Sequence, residues 1–412
     1  MKNVVVIGGG AAGMMAAIRS ASLGHKVILL EQNEKLGKKL FITGKGRCNL
    51  TNACDISDLF SHVISNPKFL YSAFYTFSNE DAIRFFENLG LKTKIERGNR
   101  VFPVSDKSSD VIRVLEQECR KLGVQIYLHT RVKKLHIVNA KVTGVFLQGG
   151  KLLKADKVIL ATGGCSYSGT GSTGDGYRFA LDAGHIITPI RPGLTGIVSM
   201  DNIGRQLQGL TIKNCQVVIT PKEGKKKKLY EGFGELLFTH YGVSGPLILS
   251  ASSMIGDRLM HEELILHMDL KPALTKEQLD KRVVKDFSEA MNSSLKNACR
   301  HLLPASIIPE ILHRAGLDSN SKVHQLAKEN RLKLVDSIKD FTVTLKGLRE
   351  MDEAIITRGG VKVAEIDPST MESKYTEGLF FAGEVLDLDA LTGGFNLQIA
   401  WSTGYLAGSD ME

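Results

Sequence analysis

The first forty residues change hydrophobic period twice. Val4 to Ile7 is a run of β-branched apolar residues, the pattern of a short buried strand. Gly8, Gly10 and Gly13 follow, and from about Ala11 to Leu23 apolar residues recur at helical spacing until Gly24 caps the segment. A second apolar run, Lys26 to Leu30, ends on Glu31. The pattern predicts strand, helix, strand and a terminal acid.

Further along, "VQIYLHTRVKKLHIV" and "KVTGVFLQGGKLLKADKVILATGG" alternate apolar and polar positions around a glycine turn, which predicts a strand pair before the chain enters a loop at Gly163. From about Arg191 the pattern shortens to strands such as "CQVVIT" and "ELLFT". Residues 274 to 338 read mostly as helices, the first opened by a Thr275/Gln278 capping box and carrying Leu279, Val283, Phe287 and Met291 every four residues. Strand character returns at "DFTVTL", and the last segment gives strand, loop and helix. The expected organisation is a nucleotide-binding domain from both ends of the chain (1–190 and 353–412), an inserted β domain (191–272 and 339–352) and a helical insert (273–338).

Composition narrows the class. The 412 residues are 43% hydrophobic and 24% charged, with no apolar run near the roughly 20 residues that span a bilayer. No membrane partner is expected. Val4 to Ile7 runs into glycines without a small-residue cleavage site, so it reads as a strand, not a signal peptide, and the cytoplasm is the expected location. Cys48, Cys54, Cys119, Cys165, Cys215 and Cys299 form no CxxC pair and no zinc-spaced Cys/His cluster, which argues for free thiols and no metal. The net charge of +9 fits a phosphate-bearing partner but decides little alone.

The G-x-G-x-x-G spacing has a mechanical reading. Gly8 makes the tight turn, Gly10 lets the backbone approach a pyrophosphate, and Gly13 lets the helix pack on the strand. Glu31 is placed to accept hydrogen bonds from a ribose diol. Strand, glycines, helix, strand and acid in that order predict a dinucleotide site.

Several stretches then coincide in order: "GGGAAG" (8–13), "EKLGKKLFITGKGRCNLTN" (34–52), "ATGGCSY" (161–167), "GSTGDGY" (171–177), "FTHYGVSGP" (238–246) and "FAGEVLDLDALTGGFNLQIAWSTG" (381–404). Across essentially the whole chain they resemble the BaiN/YhiN-type flavoproteins, also called NAD(FAD)-utilising dehydrogenases or the aminoacetone-oxidase family. The resemblance implies an α/β fold with a Rossmann-like FAD-binding domain of the two-dinucleotide-binding-domain type, an inserted β-barrel-like domain and a helical subdomain. It implies that Gly383, Glu384 and Asp387 lie near the ribityl and phosphate groups of FAD and that Gly394, Phe395, Asn396 and Leu397 line the flavin ring. Ala12, Gln32, Asn49, Arg131, Val132, Ala161, Thr162 and Gly163 join the implied cofactor contacts.

The loop "GKGRCNLTN" follows the ribose acid. Lys35, Lys38, Lys39, Lys45 and Arg47 precede or enter it with no acid between them, as a phosphate-facing segment should look, and Gly44 and Gly46 allow close backbone approach. With the family likeness this makes it a flavin-contact loop. Cys48 within it reads equally as a proton donor or as a small buried packing residue.

Other candidates keep two readings. Gly169, Gly171 and Gly174 form a second G-x-G-x-x-G, but no strand with a terminal acid follows it, so it reads as a flavin-side loop, with NADH or NADPH bound only transiently. His240, Tyr167 and Ser244 are rival general acids, each with a structural alternative. "PKEGKKKK" (221–228) reads as a hairpin tip, either solvated or in contact with a polyanion.

The expected activity is an FAD-dependent oxidoreductase that passes hydride from NAD(P)H to a carbonyl-conjugated C=C bond. The resemblance offers two substrates, a bile-acid or steroid enone and the uracil of ribosomal RNA. A flavin amine oxidase using oxygen, or a non-catalytic flavin-binding protein, are the alternatives. RNA binding would weaken steeply with salt and with neutralisation of Lys225 to Lys228.

Overall fold

The computed structural model describes residues 1–224 and 227–409. The chain divides into two compact units, Met1–Gly193 with Glu350–Glu412, and Leu194–Arg349.

The first unit is built on a five-stranded parallel sheet in the order Leu379–Phe381, Lys157–Leu160, β1 (Asn3–Ile7), β2 (Lys26–Leu30), Gln125–Tyr127. Its apolar strands are buried because helices cover them. Between β1 and β2, α1 (Ala11–Ser22) buries Met14 and Met15 completely. The carboxy-terminal helix Phe395–Ser409 lies directly on α1. Its approach depends on small residues, since a Cβ at Gly404 or Gly408 would stand 2.5 or 2.6 Å from the carbonyl oxygens of Ala12 and Ala16. The two ends of the chain thus share one core with Trp401 fully buried in it.

Two antiparallel sheets complete this unit: Thr51–Asn52, Arg100–Pro103 and Thr93–Glu96, and Val132–Val138, Lys141–Leu147 and Leu152–Lys154. The strand pair expected from residue 124 onward is therefore divided. Gln125–Tyr127 joins the parallel sheet and Val132–Val138 starts the antiparallel one. The break lies at His129 and Thr130, whose amides donate to the carbonyls of Asn33 and Glu31, with His129 at φ 51°.

The second unit is a closed antiparallel barrel of six strands: Ile197–Ser199, Gly242–Ser244, Tyr230–Thr239, Thr211–Pro221, Leu264–Asp269 and Phe341–Leu348. Helices fill the sequence between the last two strands. The Thr275/Gln278 capping box forms and opens Lys276–Ser288, which buries Leu279, Val283 and Phe287. Met291, expected on the same stripe, lies beyond the helix end and is 50% exposed. The expected α/β class with a Rossmann-like domain and an inserted barrel is the observed one. Lys225 and Lys226 of the basic hairpin tip lie outside the described residues. No helix among the described residues is long and apolar enough to cross a membrane, and no three or more of their His, Cys, Asp and Glu side chains cluster as a metal site would need.

Candidate functional site: a dinucleotide cradle

The turn after β1 is fixed by three separate constraints. Gly8 sits at φ 105°, where side chains are strained, and its amide donates to Leu30 O (2.8 Å). A Cβ on Gly13 would collide with the carbonyl oxygen of Gly8. Gly10, the residue before α1, differs from both, because a Cβ there meets nothing within 4 Å. Space therefore opens where α1 presents its unpaired N–H groups, with no acid in the first turn to compete for them. Glu31 is buried and accepts from Gly9 N, Asn33 N and Asn33 Nδ2, each at 2.8 Å. Three of the roughly four acceptor positions of its carboxylate are filled by the loop itself. The geometry fits the phosphate and ribose of a dinucleotide, with Glu31 holding the glycine loop in shape.

The opposite side of the cradle comes from the end of the chain. Gly383, at φ 75°, would bring a Cβ within 2.8 Å of the Ala12 methyl. Glu384 accepts from Lys39 Nζ (2.6 Å), Thr357 N (2.7 Å) and Ser166 Oγ (3.2 Å), and Lys39 also donates to Ser166 Oγ (2.7 Å). One network thus ties together the segments after β2, after Lys157–Leu160 and after Leu379–Phe381. Ser166 and Thr357 were not legible as parts of it, although Ser166 lies inside the "ATGGCSY" motif. Asp387 is half-buried, and its carbonyl accepts from Asn66 Nδ2 (2.8 Å).

Gly394 (φ 100°) would drive a Cβ into the Thr51 carbonyl, so the loop before the terminal helix lies against the strand Thr51–Asn52. Asn52 Nδ2 reaches Gly393 O (3.0 Å) and Thr51 Oγ1 bonds Gln398 Oε1 (2.6 Å). Asn396 uses its side chain locally, accepting from Ala390 N and donating to Ala390 O. Phe395 stacks on His62 at 4.2 Å, and Leu397 is half-buried.

In "GKGRCNLTN", Gly44, Lys45, Gly46 and Cys48 all have positive φ, from 57° to 84°. Neither Lys39 nor Arg47 is an unpartnered cation. Arg47 pairs with Glu96 and with Asp106 (2.6 Å) and lies over the Phe102 ring, so acids distant in sequence supply the counter-charge. Arg47 holds the Glu96 carboxyl below its usual pKa, and Lys94, then Arg47, do the same for Asp106. Cys48 is 0% exposed and burial pushes its thiol up to about 12, which fits the packing reading. Two oxygens beside the cradle, Asn49 Oδ1 and Thr162 Oγ1, are buried without a protein partner. Such orphaned acceptors fit a site that a bound cofactor completes.

The second glycine cluster lies against the end of β2. Gln32 Nε2 donates to Gly171 O (2.7 Å), Asn33 Nδ2 to Thr170 O (3.0 Å), and Arg131 pairs with Asp175 (2.8 Å). Val132 is buried and starts its strand, while Ala161, Thr162 and Gly163 leave the parallel sheet at its carboxyl end. Tyr167 holds an unfavourable φ of 51° in this loop and is half-buried. Burial, then Glu353, raises the pKa of its phenol. His240 and Ser244 belong to the barrel unit, His240 exposed and edge-on to Tyr241 (5.0 Å). All six cysteines are free thiols.

Comparison with known proteins adds four findings. The model of the HI0933-like protein Rossmann domain matches residues 2–410. The chain is 33% identical over 411 residues to the 3-dehydro-bile acid delta(4,6)-reductase of Clostridium scindens, covering 99% of this chain and 98% of that protein. It is 30% identical over 411 residues to the ribosomal RNA dihydrouridine synthase of Escherichia coli, with the same coverage of 99% and 98%. Among solved structures, the 3-ketosteroid delta1-dehydrogenase from Sterolibacterium denitrificans aligns at a TM-score of 0.53 with 13% identity, over 99% of this chain and 98% of that one, a likeness of fold.

Proposed function

The chain belongs to the HI0933-like Rossmann family of FAD-dependent oxidoreductases, and from that premise we propose that it reduces a carbon–carbon double bond conjugated to a carbonyl, with NADH or NADPH as electron source. The observation that carries the reading is the near-complete coverage by two relatives whose names describe one chemistry. A delta(4,6) bond of a 3-dehydro steroid and the C5=C6 bond of uracil are both polarised by a ring carbonyl. When bound, FAD supplies the hydride that such a bond accepts.

The chain's own residues supply the rest. The α1 terminus with Gly8, Gly10 and Gly13 holds the pyrophosphate, Glu31 holds the ribose side, and Gly383, Glu384, Asp387 and the loop from Gly394 to Leu397 hold the flavin half. The dipole end of the terminal helix favours negative charge near Phe395. Tyr167 is the proton donor of this reading. Its loop leaves the carboxyl end of a parallel strand, where open α/β sheets bind ligands, and its raised pKa keeps the proton on the phenol at neutral pH. Cys48 packs beneath the loop. The cytoplasm, which supplies NAD(P)H, is the compartment this reading implies.

Anaerobic stopped-flow absorbance tests it. NADH or NADPH should bleach the flavin, and a 3-oxo-Δ4 steroid or a uridine-containing ribosomal RNA should restore its colour faster than oxygen does. Bleaching without reoxidation by either acceptor, together with fast turnover by oxygen, would point to an oxidase. No bleaching at all would point to a non-catalytic flavoprotein.

A further inference from the structure

The flavin-loop strand Thr51–Asn52 lies antiparallel to Arg100–Pro103, with Asn52 directly opposite Arg100. Opposite residues in an antiparallel pair project from the same face. Arg100 therefore leaves the sheet on the side where Asn52 Nδ2 reaches Gly393 O at 3.0 Å. A second arginine comes to this side, since the guanidinium of Arg47 lies 4.2 Å and that of Arg100 5.7 Å from the centre of the Phe102 ring.

Their partners separate them. Arg47 is claimed by Glu96 and Asp106. Arg100 donates only through Nε, to Arg97 O (3.0 Å), and among the described residues no carboxylate pairs with it and no protein atom accepts from its two terminal nitrogens. Arg100 is a half-buried residue, unlike exposed Arg97 at the turn. A guanidinium with its planar fork open is a receptor for a carbonyl or carboxylate oxygen.

Building on the function proposed above, we infer that Arg100 binds the carbonyl oxygen of the substrate and stabilises the charge that forms there. Hydride addition at the β-carbon pushes the C=C electron pair through the α-carbon onto that oxygen. The N–H groups of Arg100 donate to the resulting enolate oxygen. A proton then adds at the α-carbon as the carbonyl re-forms, completing net addition of two hydrogens, with NAD(P)H oxidised to NAD(P)⁺. Arg47, neutralised by its two acids, does not substitute for it.

The test compares wild type with Arg100→Gln and Arg100→Lys as FAD-loaded proteins. Three quantities are read: bleaching by NADPH, reoxidation by 4-androstene-3,17-dione or a uridine oligonucleotide, and the charge-transfer band formed with 4-nitrophenolate, an enolate mimic. Loss of one donor to a developing oxyanion costs roughly 10²–10³-fold in rate. Arg100→Gln should therefore slow reoxidation by about 100-fold through kcat, more than through KM, and weaken 4-nitrophenolate binding at least tenfold. FAD content and bleaching should stay at wild-type values. Arg100→Lys should fall between, and it decides the question if the Gln variant does not fold. Unchanged reoxidation and unchanged phenolate binding in either folded variant would overturn the role of Arg100. If wild type is reoxidised by neither substrate, the proposed function fails, and equal phenolate binding in wild type and variant then overturns the arginine site separately.

Discussion

The indole Nε1 of Trp401 donates to the carbonyl oxygen of Leu50 at 2.9 Å, joining residues 351 positions apart. Both residues are buried, and the bond fastens the "GKGRCNLTN" loop to the terminal helix. Trp401→Phe keeps most of the ring volume and leaves the Leu50 carbonyl without its donor, which should cost about 1–3 kcal/mol. Urea unfolding of the apo-protein measures the loss, and FAD should also dissociate faster.

Gly10 and Gly13 should respond differently to the same methyl group. Gly13→Ala forces α1 away from Gly8 and should destabilise the apo-protein by about 1–3 kcal/mol. Gly10→Ala meets open space, so the apo-protein should melt as wild type does, while FAD affinity falls at least tenfold. Thermal unfolding with and without FAD separates the two effects.

Tyr167→Phe should leave reduction of the flavin by NAD(P)H intact. It should slow reoxidation by an enone by roughly 10²–10⁴-fold, the usual contribution of a positioned general acid. Since the phenol pKa is raised, the wild-type rate should show no falling limb from this group below about pH 10. Equal reoxidation rates would remove Tyr167 from the chemistry.

Cys48 makes a pH-dependent prediction. Its folded pKa, about 12, lies above the roughly 8.5 of an unfolded thiol, so between these values the unfolded chain loses a proton that the native protein keeps. The stability that Cys48 contributes is therefore present below about pH 8.5 and is lost as pH rises towards 12. Relative to Cys48→Ala, wild type should lose about 1.4 kcal/mol per pH unit in that window. Urea midpoints at pH 7, 9.5 and 10.5 measure it, and a constant difference would show that the thiol is not sealed.

Local constraints were the legible ones. The first strand, helix and second strand could be placed because each glycine answers to a neighbour within a few residues, and the Thr275/Gln278 box because its two hydrogen bonds close over three positions. Partners far along the chain were hidden. A stretch rich in Lys and Arg gives no hint that Glu384 will meet Lys39 or that Glu96 and Asp106 will meet Arg47. Likewise, the alternation around "VQIYLHTRV" cannot show that backbone bonds to Asn33 and Glu31 divide it between two sheets. Arg100 escaped notice for a related reason: what distinguishes it is the lack of a counter-ion among the described residues, which only the assembled fold displays.

The central claim is that loops from both ends of one chain hold one FAD. Titration of the apo-protein with FAD, followed by absorbance and equilibrium dialysis, tests it most directly. One flavin per chain is expected, with binding weakened at least tenfold in Gly10→Ala although that variant stays folded. A wild-type protein that remains colourless, or a Gly10→Ala protein that binds FAD as wild type does, would contradict it.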